Sequence, residues 1–168
     1  MEFSMYNQMR DKFSQIWRKA AALLIVGLAL PAFAALGGDA NSVSADAVHM
    51  KATSAVQIKR APTGLYTTHA IQSPHGTVVR EFVSPDGRVF GVAWQGPFIP
   101  NMQQILGTYF QQYATAARQA KNKQVGRRPL NIHQPGLVVQ SSGIMRSYSG
   151  RAYAPDLLPQ GVSANEIR

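Results

Sequence analysis

The 168-residue chain contains no cysteine. That excludes disulfides, thiolate metal sites and the lipid-bearing cysteine of a lipoprotein leader. Acidic groups are also scarce, with 8 Asp+Glu against 17 Lys+Arg and a formal net charge of +9. Four histidines, His49, His69, His75 and His133, are scattered with none at i,i+4 or in an HxH pattern. A zinc site would need three or four ligands converging from remote positions, so no metal and no cofactor is expected. There is no Gly-x-Ser-x-Gly elbow and no phosphate-cradling glycine loop. Ser141-Ser142-Gly143 reads as a turn, not a nucleophile motif. The roles of nucleophile, base and orienting group are not supplied by any recognisable constellation.

After residue 34 only six carboxylates remain: Asp39, Asp46, Glu81, Asp86, Asp156 and Glu166. A paired-carboxylate site needs two of them held close together on rigid elements. Only Glu81 falls inside a clear strand pattern. Its expected place is over Gly91, paired with Arg146 or Arg151.

The first 34 residues have the layout of an export signal. Arg10, Lys12, Arg18 and Lys19 precede an apolar run from Ala20, followed by Pro31 and the small-x-small site Ala32-Phe33-Ala34. Cleavage is expected between Ala34 and Ala35, with the start at Met1, Met5 or Met9. The alternative is a retained anchor, but residues 20–36 are just 17 long and include Pro31, at the bottom of the spanning range. Removing 34 of 168 residues leaves 134, carrying 13 Lys+Arg. That length suits one domain and places the protein in the periplasm or the medium of a Gram-negative type of cell.

The clearest folding signal is GTVVREFVSPDGRVFGVAWQGP, residues 76–97. Ser84-Pro85-Asp86-Gly87 suits a type I turn followed by a bulge, with Pro85 pre-setting φ and Gly87 taking positive φ. If Ser84 pairs with Arg88, a regular ladder sets Phe82 opposite Phe90 and Val78 opposite Trp94. Arg80, Phe82, Phe90 and Trp94 then share one face. The other face carries Val79, Glu81, Val83, Gly91 and Ala93.

Residues 35–64 are rich in Gly, Ala, Ser and Asp without a sustained period and read as a flexible leader, with at most an edge strand near 54–58. Residues 65–71 read as a strand. From Asn101 to about residue 120 an apolar stripe recurs at helical spacing, with Asn101 as N-cap and Gln104 placed to close a capping box. Strands are expected at 137–140 and 144–148 around a Ser142-Gly143 turn, and residues 159–168 form a tail. The implied fold is α+β: an antiparallel sheet of about five strands in the order β-β-β-α-β-β, with one long amphipathic helix on one face and a single domain over residues 65–158. The helix is expected on the small face with Gly91 and Ala93.

The runs GTVVREFVSPDGRVFGVAWQGP, NMQQILGTYF and SSGIMRSYSGRAYAPDLLPQGVSANEIR, with a leader ending LPAFAALGG, resemble the exported proteobacterial family known as domain of unknown function 2844. The resemblance runs from about Ala35 to Arg168. It implies a secreted or periplasmic protein and carries no activity, substrate or catalytic residue.

Two sets of residues point to binding. Arg118, Lys121, Lys123, Arg127 and Arg128 cluster at and after the helix end. They form either a polyanion contact, such as lipopolysaccharide or anionic lipid, or a solvated loop complementing the helix terminus. Arg80 with Phe82, Phe90 and Trp94 forms either an internal cation–π stack or a partner-binding patch. The expectation is an exported, non-enzymatic binding module whose partner is an anionic envelope component or another envelope protein. Nucleic acid is not expected, and a membrane enters only through the signal segment. The alternative is an envelope hydrolase or transferase built around Glu81 and Arg80.

Overall fold

The computed structural model describes residues 36–40, 43–123 and 129–168. The signal and its cleavage site at Ala34 and Ala35, with Arg127 and Arg128, lie outside the described residues. The fold is α+β with an antiparallel sheet, and the sheet has seven strands rather than five. They are β1 Gln57–Arg60, β2 Thr67–Gln72, β3 Val78–Val83, β4 Val89–Gly96, β5 Leu130–Gln134, β6 Leu137–Ile144 and β7 Ser147–Tyr153. Their spatial order is β1-β2-β3-β4-β7-β6-β5. The helices are α1 Val43–His49, α2 Met102–Leu106 and α3 Phe110–Lys123, the last two joined by a 3-10 turn over Gly107–Tyr109.

The β3–β4 turn forms as its residues dictate. The Ser84 N–H donates to the Arg88 carbonyl at 2.9 Å, and Gly87 takes φ 83. Val83 lies opposite Val89 as expected, but the next pair is Phe82 with Gly91. A β-bulge takes up Phe90. Such an insertion reverses the facing of every later residue on its strand. Trp94 therefore lies opposite Val79, not Val78, and leaves the face of Arg80.

Trp94 joins Val79, Val83, Val89 and Val92 on the side covered by the helices, packed with Ile105, Leu106 and Ala116. The helices thus cover the Trp94 face, not the face of Gly91 and Ala93. Trp94 fits because β7 presents Gly150 opposite it. A Cβ on Gly150 would stand 2.3 Å from Trp94 Cζ2. Asn101 caps α2 as expected, its side-chain oxygen accepting from Gln103 N and Gln104 N at 3.1 and 3.3 Å. The Gln104 side chain does not close a capping box and reaches Asp46 instead.

The opposite face is closed in part by the C-terminal segment. Phe82, Phe90 and Ala93 are buried there with Ile167, and Tyr66, Tyr153, Leu158 and Val162 pack around them. Ile167 rests on Gly91, where a Cβ would lie 2.8 Å from its Cδ1. The bulge turns both Phe90 and Gly91 toward this segment. Residues 159–168 are thus part of the core, not a free tail. Ser163 and Glu166 form the expected capping box, and Glu166 also accepts from the Tyr66 hydroxyl at 3.1 Å.

The described residues of the expected flexible leader, 36–40 and 43–64, are likewise packed into the fold. Leu36 is 1% exposed in the core, α1 covers Ile71 through Val43, and β1 forms the sheet edge. The compact unit spans Ala32–Arg168, wider than the 65–158 expected.

Candidate functional site

Beyond Ile167 the sheet face opposite the helices lies open as a groove of about 580 Å³. Strand alternation sets its floor. Arg80 on β3, Gln95 on β4, Arg151 on β7 and Gln140 on β6 face the same way, because Arg80 pairs with Ala93, Ala93 with Arg151 and Arg151 with Gln140. Asn165 and Arg168 from the C-terminal segment close one wall. A second hollow of about 240 Å³ continues across β1, β2 and β3, with Lys59, Thr68 and Gln72 at its sides and Arg80 shared between the two.

Arg151 is held in place by neutral groups. Its Nε donates to Gln140 Oε1 at 2.7 Å and its Nη1 to the Ala164 carbonyl at 2.8 Å. Neither acceptor offsets the guanidinium charge, and among the described residues no Asp or Glu lines either hollow. Lys59, Arg80, Arg151 and Arg168 therefore give one continuous cationic trough. Arginine in such a setting presents a planar fork matched to carboxylate or phosphate oxygens. The chemistry available here is anion binding.

The four residues read as an aromatic patch do not come together. Phe82, Phe90 and Trp94 are buried, the first two under Ile167 and Tyr66 and the third under the helices. Phe82 and Phe90 rings lie 6.2 Å apart, with Tyr66 at 5.7 and 5.8 Å from them. Arg80 alone reaches the open surface. Of the basic cluster, Arg118 and Lys121 are exposed on α3, and Lys123 is its last residue.

Glu81 is not over Gly91 and meets no arginine. Opposite Val92, it turns into the helix side with 0% exposure, and there it finds Asp46 of α1, also 0% exposed. Asp46 Oδ1 accepts from Gln104 Nε2 at 3.2 Å. Among the described residues the remaining three oxygens have no donor other than a proton shared between the two carboxyls. Burial, partly offset by the Gln104 bond, pushes Asp46 up to about 6. Burial, then the charge of Asp46, raises Glu81 well above the usual carboxylate range. Sequence reasoning missed this pair. The available signal was a single carboxylate amid VVREFV. Arg80 and Glu81 are neighbours on one strand and face opposite sides, so they build no common site. Among the described residues no cluster of three or more His, Asp or Glu could hold a metal ion.

Fold and groove together define an antiparallel α+β domain with a cationic sheet-face cleft. The chain belongs to the family described as protein of unknown function (DUF2844), which matches residues 32–167. No curated protein and no solved structure matches it.

Proposed function

We propose that this is an exported, non-enzymatic binding module whose ligand is an acidic envelope component, bearing carboxylates or phosphates, seated in the Arg80–Arg151 groove. One observation carries the reading: four cationic side chains follow one trough with no described Asp or Glu in its lining, and Arg151 is braced by neutral acceptors. The export layout of residues 1–34 supports a ligand outside the cytoplasm. The sealed position of Glu81 and Asp46 favours binding over hydrolysis, since no substrate reaches a carboxyl with 0% exposure.

The test is calorimetric titration with polygalacturonate at low and at physiological salt, with inorganic phosphate as competitor. Arg80→Ala and Arg151→Gln are expected to weaken binding roughly tenfold each, the order of one charge-assisted contact. Glu81→Gln should leave it intact. Phosphate that displaces the polymer better than acetate identifies a phosphate ligand, and the reverse a carboxylate. Binding unchanged in both arginine variants overturns the proposal. N-terminal sequencing of exported protein should start at Ala35, and an intact Met1, Met5 or Met9 start refutes cleavage.

A further inference from the structure

Among the described residues six large apolar side chains are strongly exposed, and four of them collect at one end of the sheet. Phe98 is 55% and Ile99 52% exposed in the loop leaving β4, and Ile144 is 74% and Met145 79% exposed at the β6–β7 turn. Strand register brings the two loops side by side. Gly96 pairs with Tyr148, and Tyr148 with Gly143, so three strands end in adjacent rows there. The loops are held in position. Thr77 Oγ1 donates to the Phe98 carbonyl at 2.9 Å and accepts from its N–H at 3.2 Å, and the His75 ring lies 5.7 Å from that of Phe98.

The charges are sorted along the same axis. Asp86 lies in the β3–β4 turn at the far end, and the Asp39 backbone pairs with that of Arg88 there in an isolated β-bridge. Asp156 lies over Gly136 in the β5–β6 turn, also far, and Glu166 bonds Tyr66 just before β2 begins opposite Val83. Asp46 and Glu81 are interior. Every described Asp and Glu is therefore buried or remote from the apolar loops. Arg146 stands at the tip itself, with φ 63. α3 starts at the far end, where Gln112 Nε2 donates to the Pro135 carbonyl at 2.9 Å, and runs along β5. Nine residues on, about 13 Å along the axis, Lys121 is carried toward the apolar end.

We infer that this end of the sheet, with Phe98, Ile99, Ile144 and Met145 as inserting side chains and Arg146 and Lys121 as headgroup contacts, docks on an anionic lipid bilayer. A bilayer fits better than a protein surface. The apolar groups stand on two neighbouring loops at one end of the sheet, with Arg146 at the tip, Lys121 carried toward it and no described exposed Asp or Glu beside them. That combination matches an apolar boundary beneath a negative headgroup layer. Tyr148, half-buried beside the tip, has the amphipathic ring favoured at such boundaries. The inference is independent of the groove and extends the membrane role beyond the leader.

The experiment is co-sedimentation of residues 32–168, the compact unit, with vesicles of phosphatidylglycerol and phosphatidylethanolamine, against phosphatidylcholine alone. The unit should bind the anionic vesicles at low salt and bind phosphatidylcholine at least tenfold more weakly. The double variant Ile144→Ser, Met145→Ser should lose binding tenfold or more, and Arg146→Glu several-fold. Val48→Ser on α1 and Ile58→Ser on the edge strand β1, which remove exposed apolar groups outside these loops, should change nothing. A tryptophan introduced by Met145→Trp should shift its emission to the blue on vesicles, and one introduced by Asp86→Trp should not. Circular dichroism confirms that each variant is folded. No binding to anionic vesicles overturns the inference, as does binding indifferent to the double variant. Loss of a soluble protein partner with vesicle binding unchanged would reassign the loops to protein recognition.

Discussion

Asp46 and Glu81, both fully enclosed, share the interior between α1 and β3 as a hydrogen-bonded carboxyl pair. Two ionised carboxylates cannot sit there together, so the fold holds at least one proton. His49 lowers Asp46 slightly, and His69, opposite Glu81 on β2, is itself kept low by burial.

The pair makes stability fall as pH rises. Asp46 has a folded value of about 6 against 3.8 ordinarily. The folded state therefore binds the extra proton, and the associated stability is complete below about pH 4 and lost as pH rises through about 6. Glu81, raised further, extends the loss upward. Thermal unfolding followed between pH 5 and 8 should show Tm dropping by several degrees, with about 1–2 kcal/mol coming from Asp46 and a further loss from Glu81. A Tm that is flat or rises over that range refutes the shared proton.

Glu81→Gln should remove the part of that slope that Glu81 contributes, leaving the part that Asp46 contributes as pH rises through about 6. Its amide can donate to Asp46 without titrating, so the variant should match the parent at pH 5 and exceed its Tm at pH 8. Asp46→Ala should instead destabilise at both, by about 1–3 kcal/mol, because it leaves the Gln104 amide and Glu81 without a buried partner. Equal pH slopes in parent and Glu81→Gln would place the titration elsewhere.

Much of the local structure was legible because its causes are local. Ser84 to Gly87 carry their own turn chemistry, Asn101 caps the helix, and the apolar stripe after it finds the core. The bulge at Phe90 was not legible, because its cause lies in a remote segment: Ile167 packs on Gly91 only after the whole sheet has formed. One extra residue then moved Trp94 to the other face and dissolved the expected patch. Gly143 misled for a similar reason. It reads as a turn, yet it is a strand residue kept small by Tyr148, whose Cδ1 would lie 2.6 Å from a Cβ there. The true turn is Met145-Arg146, with Ile144 paired to Ser147. The groove arginines were half legible. Arg80 stood out on its strand, but Arg151 becomes its neighbour only through the pairing of β4 with β7.

Gly150→Ala should be among the costliest single-methyl changes in the chain. The added carbon would meet Trp94 Cζ2 at 2.3 Å and the Gln140 carbonyl at 2.8 Å, both fixed by the sheet. Overpacking of this kind costs about 1–3 kcal/mol or more, whereas Ser149→Ala on the exposed side should stay within about 0.5 kcal/mol. Denaturant midpoints report both. Combined with Trp94→Leu, the Gly150→Ala cost should shrink, since the colliding ring is gone. Additive costs would mean that Trp94 does not lean on Gly150.

Ile167→Ala tests whether the last residues belong to the core. The side chain is 0% exposed and seals Phe82, Phe90 and Gly91. Truncating a buried isoleucine to alanine costs about 2–5 kcal/mol, with the upper end reached where the site cannot collapse. Gly91 offers no side chain to fill the gap, so the upper half of that range is expected. Loosening the segment also frees Arg151 from the Ala164 carbonyl. The variant should therefore lose stability and bind an acidic ligand in the groove more weakly, while Val162→Ala, half-buried at the margin, should do less of both. Paired measurement of unfolding midpoint and polygalacturonate affinity separates the effects. If stability falls and affinity holds, the segment is a structural strap only, and Arg151 is aimed by Gln140 alone.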